Sequence, residues 1–181
     1  IVLFISYNMG MFAIITMAPL YLRENHDLGW LATAMAMAAM MLPGALMQPW
    51  MGKISDSLGR RPLIIIGNGV AAVAAFVAWL PSPFALSLIA LGIALTALVA
   101  IRAVLLASAI DHSGGREGTS LGLTFAFMDG FAASGAVLAG IVAESNIANA
   151  FLLASGFSVV AVLLAVAQPK SARATTDPAL P

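Results

Sequence analysis

Hydropathy along the chain rises in six apolar runs, at 1–22, 29–51, 62–80, 84–110, 119–143 and 148–168, divided by short polar or Gly/Pro-containing interruptions. Crossing a ~30 Å hydrocarbon core takes roughly 20 apolar residues at ~1.5 Å each, so every run is long enough to span a bilayer as a helix. The interruptions carry helix-start chemistry. Pro62 and Pro83 stand where a first turn needs no amide donor, and Ser82 and Asp27 are placed to cap the helices that follow. Pro19, Pro43 and Gly44 fall inside runs, where neighbouring helices can satisfy freed backbone groups, and they mark kinks. The predicted architecture is all-α: a six-helix membrane domain over 1–168 and a polar tail over 169–181.

Composition narrows the partners. Charged residues make up 9% of the 181 and hydrophobic ones 61%, against ~25% charged in a soluble domain. A water-soluble globule, a disordered chain and a nucleic-acid binder are excluded, because no surface could be solvated or pair with phosphates. The natural surroundings are membrane lipid. With no cysteine there is no disulfide, thiolate nucleophile or Cys-ligated metal. His26 and His112 fall in loops on opposite sides and read as surface residues that cannot share a metal. No metal or cofactor is expected, nor any catalytic residue: H-E-x-x-H, G-x-S-x-G and the phosphate-binding Gly-Lys-Ser/Thr loop are all missing. The chain opens on Ile1 and an apolar run without a basic leader, unlike a signal peptide, which suggests a fragment of a longer protein.

Basic residues give the orientation. Lys53, Arg60, Arg61, Arg116, Lys170 and Arg173 fall on one side and only Arg23 among loop residues on the other. The positive-inside rule puts both termini and the 52–61 loop in the cytoplasm. Trp30, Trp50 and Trp79 lie near run ends, where indole rings anchor at the headgroups.

The most specific stretch is Gly52-Lys53-Ile54-Ser55-Asp56-Ser57-Leu58-Gly59-Arg60-Arg61-Pro62. Gly52 permits close approach or a sharp exit, Gly59 a positive-φ turn, and Asp56 can pair with Arg60, Arg61 or a helix N-terminus. G-x-x-x-D-x-x-G-R-R between the second and third spans resembles the cytoplasmic signature loop of the major facilitator superfamily of transporters, with Ser57 where that family commonly has a basic residue. The resemblance implies one half of a two-lobed carrier, built as a 3+3 inverted repeat, with a substrate path between lobes. The polar tail and a fifth helix with Gly135 and Gly140 but no Gly-Pro pair look more like the C-terminal half. A missing N-terminal six-helix half of the same chain is then the implied partner, and the plasma membrane the implied location.

Two ionisable residues fall deep inside runs, Arg102 and Asp129, each costing ~2.5–3.5 kcal/mol near the bilayer centre. At ~100° per residue, Gly122, Ala126, Ala133, Ala136 and Gly140 share the Asp129 face, which points it into the protein or a watery cavity. Leu91, Leu95, Leu98, Leu105 and Leu106 surround Arg102, a surface able to meet lipid tails. An ion pair between the two that breaks or reprotonates during transport is the working hypothesis. Tyr7 and Asn8 are further pathway candidates because the first helix of each half lines the cavity in the resembled family; Gln48, Asn68 and Thr96 are weaker ones. Met35, Met37, Met40, Met41 and Met47 suit a sliding contact or a greasy substrate. The functional expectation is ion-coupled secondary transport of a small organic solute. The alternative is a helical membrane scaffold subunit or a six-helix unit acting as a homodimer.

Overall fold

A computed structural model describes residues 1–111 and 117–167. Six helices follow one another: α1 (Val2–Glu24), α2 (Trp30–Leu58), α3 (Arg60–Trp79), α4 (Phe84–Asp111), α5 (Glu117–Ala143) and α6 (Asn149–Ala167). All six are long and apolar enough to cross a membrane. Arg116, His112 and the tail from 168 lie outside the described residues.

The second boundary differs from the expectation. Instead of ending at 51, α2 continues to Leu58, and only Gly59 separates it from α3. Polar residues leave the bilayer without leaving the helix; a hydropathy boundary marks the membrane surface, and Gly59, at φ +92°, marks the chain reversal. The signature stretch is therefore a helix end and a helix start rather than a loop. Two expected caps also fail. Gly29 occupies the N-cap of α2 while Asp27 sits in the turn at φ +52°. Pro83 supplies the first carbonyl of α4, and the Ser82 hydroxyl lies 3.0 Å from Ser87 Oγ instead of meeting a backbone amide.

The packing has an internal symmetry. α2 packs on α4 as α5 packs on α1, α3 packs on α4 as α6 packs on α1, and α3 and α6 pack on each other. Exchanging the first three helices for the last three maps this pattern onto itself. Tyr7 meets Leu98 and Tyr21 meets Ser87, so α1 and α4 run in opposite directions and the repeat is inverted. The result is a front row in the order α2, α4, α1, α5, backed by α3 and α6.

Small residues set the closest approaches, because apolar burial does not drive association between helices already in lipid and backbone contact does. A Cβ on Gly44 would lie 2.6 Å from Thr96 O on α4; at the equivalent interface one on Gly135 would lie 2.5 Å from Met9 O on α1. The α3/α6 pair is pinned at both ends. Trp79 Nε1 donates to Asn149 Oδ1 at 3.2 Å, and the Arg61 guanidinium donates to Ala165 O at 2.9 Å and to Val166 O. Trp79 is thus a helix pin rather than a free interface anchor, whereas Trp30 is exposed beneath the Arg23 guanidinium, 3.4 Å from its ring centre.

Candidate functional site

At the end where α2 meets α3, the helix placed by the signature residues sets a charge network. Asp56 and Arg60 are one turn apart across Gly59, and Arg60 Nη1 meets Asp56 Oδ1 at 2.7 Å. The same guanidinium reaches Asp111, the last residue of α4, with Nε at 3.0 Å from Oδ2, and donates to Ser55 Oγ. Arg61 turns the other way, onto the last carbonyls of α6, where a cation complements the helix dipole. One reversal thereby ties the ends of α2, α3, α4 and α6 together. Asp111 was not singled out from the sequence; its position at a span end on the basic side was the only available signal. Gly52 makes no close approach, for a Cβ there would meet nothing within 4 Å.

Deeper in the membrane, Arg102 on α4 and Asp129 on α5 approach each other, with Arg102 Nη2 3.9 Å from Asp129 Oδ1. The side chains are 31% and 56% exposed, so the contact is an open one. Counted from the helix ends at Asp111 and Glu117, they lie ~14 Å and ~18 Å along the helices. Both sequence-derived surroundings are corrected. Leu91, Leu95, Leu98 and Leu105 are fully buried, so the leucine face of α4 is core rather than lipid contact. On α5 the buried face carries Ala132, Gly135 and Ala139, whereas Gly122, Ala126 and Ala133 beside Asp129 are exposed. Asp129 therefore points out of this helical unit, on the side of α5 turned toward α4.

The first helix supplies what lies beside the pair. Tyr7, fully buried, donates its hydroxyl to Leu98 O at 2.6 Å, the carbonyl one turn before Arg102. Asn8 is fully buried with neither amide atom partnered. The weaker candidates are engaged at least in part: Gln48 Nε2 donates to Val99 O, Thr96 Oγ1 to Met40 O and Asn68 Nδ2 to Ile64 O, with Asn68 Oδ1 buried and unpartnered. His26 is not a simple surface residue. Its ring lies edge-on between Tyr21 and Phe84, with Nε2 sealed and unpartnered. Of the helix-2 methionines, Met35 is exposed, Met40 buried, and Met37 and Met41 packed against the core. Met40 and Met47 line an apolar groove of about 620 Å³ between α2, α3 and α4 that no charged residue enters.

The family model of the Major Facilitator Superfamily matches residues 1–180. The chain belongs to the major facilitator superfamily. It is an integral, multi-pass membrane transporter protein, and its six helices have the 3+3 inverted arrangement of one half of the major facilitator fold. No curated protein matches it. For a superfamily member, the front row of α2, α4, α1 and α5 is the face that carries exposed intramembrane charge, and the α2/α3 reversal is where the signature residues gather.

Proposed function

We propose that this chain is the C-terminal lobe of an ion-coupled secondary transporter that moves a small organic solute by alternating access across its front row. The observation that carries the reading is the Arg102–Asp129 pair, open at 3.9 Å on the outward side of α5. Ionisable groups held at membrane depth are costly, and these two are neither sealed in the core nor fully paired. An N-terminal lobe facing them would enclose the solute path, with Asn8 an unpartnered amide buried behind it on α1. The Asp56–Arg60–Asp111 network and the Arg61 cap lie at the basic end, which the positive-inside rule puts in the cytoplasm of a plasma-membrane protein together with both termini. There they hold one access state closed. Lipid surrounds the back row.

The test is uptake into vesicles by the full chain carrying Asp129→Asn. The expected result is loss of the pH dependence of uptake together with a change in apparent solute affinity. If both stay at their wild-type values, Asp129 has no part in coupling.

A further inference from the structure

Among the described residues, Arg102 is under-coordinated for a guanidinium inside a membrane. It has five N–H donors in a planar fork, and its one charged neighbour among those residues, Asp129 Oδ1, lies at 3.9 Å, beyond hydrogen-bond reach. One turn back along α4, Leu98 O receives the Tyr7 hydroxyl at 2.6 Å. Around it, Leu98 and Leu105 are fully buried and offer nothing polar. A guanidinium so placed is matched best by an oxyanion that accepts two parallel N–H bonds. Asp129 is the internal sample of that chemistry: a carboxylate at the right place, too far away to complete the bonds.

We infer that the cargo of this transporter is a small organic oxyanion, a carboxylate above all, which takes the place of Asp129 on Arg102 while Asp129 takes up a proton. This rests on the transport reading above and names its substrate class. The exchange balances. The Arg102–Asp129 contact is lost and an Arg102–cargo ion pair forms; one proton joins the Asp129 carboxylate and one monoanion enters, so the formal charge of the site is the same before and after. A neutral solute would leave the pair intact, and a cationic one would have to face Arg102. Among the described residues, Arg102 from α4 is the titratable group that meets Asp129; α6 carries none, and the buried Tyr7 of α1 turns its hydroxyl to Leu98 O on α4. Tyr21, Arg23 and Glu24 of α1 and Asp111 of α4 lie toward the helix ends.

The test measures thermal stabilisation of the full chain in nanodiscs by three probe series of matched size: small monocarboxylates, their primary amides and the corresponding ammonium compounds. Readings are taken at about pH 5.5 and about pH 7.5, both above the ~4 at which the carboxylates lose their charge. The carboxylates are expected to bind at least about tenfold more tightly than either other series, and more tightly at the lower pH. Asp129→Asn, which mimics the protonated acid, is expected to bind them equally at both. Arg102→Gln is expected to lose at least about tenfold in carboxylate affinity; should it fail to fold, Arg102→Lys keeps the charge, removes the fork and is expected to fall between. The inference is overturned if amides or ammonium compounds bind as tightly as carboxylates, if no carboxylate stabilises the protein, or if Asp129→Asn keeps the pH dependence. Transport itself is read separately, from aqueous access to Ala126→Cys on the Asp129 face. Access that changes with an amide or ammonium cargo preserves the transport reading while sinking the oxyanion, and access that never opens sinks the transport reading.

Discussion

Replacing Gly44 by alanine should be among the most damaging single-methyl additions in the protein. The new Cβ would lie 2.6 Å from Thr96 O, 2.8 Å from Val99 Cβ and 3.0 Å from Thr96 Cα, and two of these three are helix backbone that cannot rotate away. The helices must separate. On the same face of α2, one turn to either side, Thr96 Oγ1 donates to Met40 O at 3.0 Å and Gln48 Nε2 donates to Val99 O at 3.1 Å. Overpacking costs about 1–3 kcal/mol, and the two flanking hydrogen bonds add about 0.6 kcal/mol each inside a membrane. The expected loss is about 2–4 kcal/mol, or a melting temperature lower by roughly 5–15 °C. Gly52→Ala is the internal control, in the same helix with nothing within 4 Å of the added carbon; it should gain about 0.5–1 kcal/mol from helix propensity alone. Thermal unfolding of both variants in nanodiscs decides the matter. If Gly44→Ala is as stable as Gly52→Ala, backbone contact between α2 and α4 does not hold the front row together.

Three further outcomes are expected. Arg61→Ala should free the carbonyls of Ala165 and Val166 and speed hydrogen exchange in the last turn of α6 about tenfold, with the centre of α6 unchanged. A double-mutant cycle of Arg60→Ala with Asp111→Asn should give a coupling of about 0.5–1 kcal/mol in thermal stability, because Arg60 is only a quarter exposed and Asp111 half exposed; zero coupling would make their 3.0 Å contact ornamental. Asn8→Leu should stabilise the fold by about 1–3 kcal/mol, since it removes two unpartnered buried polar atoms, while lowering transport. A variant that is stabilised and fully active would take Asn8 off the solute path.

The sequence revealed the helices more fully than their ends. Run length and hydropathy give six spans because the bilayer demands a continuous apolar stretch, but α2 continues through Lys53, Ser55 and Asp56 to Leu58, since those side chains are as compatible with a helix as with water. Asp56, Arg60 and Arg61 were legible from spacing; Asp111 and the carbonyls of Ala165 and Val166 were not, because they reach the same end from 51 and more than 100 positions away in the chain. Facing directions were harder. A small-residue stripe on α5 reads as a contact face, yet the contact lies on Ala132, Gly135 and Ala139, and the stripe holding Asp129 looks outward. A leucine-rich helix such as α4 gives no periodic contrast, so only packing distinguishes its core side from its lipid side. Gly44 and Gly135 occupy equivalent close contacts, but the inverted repeat emerges only when the packing pairs of the two helix triplets are compared.

Whether the Asp129 face of α5 meets water or lipid decides whether the front row can be a transport path. The chain has no cysteine, so single cysteines can be placed by Ala126→Cys on that face and by Leu163→Cys, at an exposed back-row position of α6. Labelling by a membrane-impermeant thiol reagent, applied from each side of reconstituted vesicles with and without cargo, is the most direct measurement. Ala126→Cys is expected to react from one side without cargo and to change its exposure when cargo binds, with Leu163→Cys inert throughout. Equal inertness at both positions would place Asp129 against lipid and contradict the front row as a transport path.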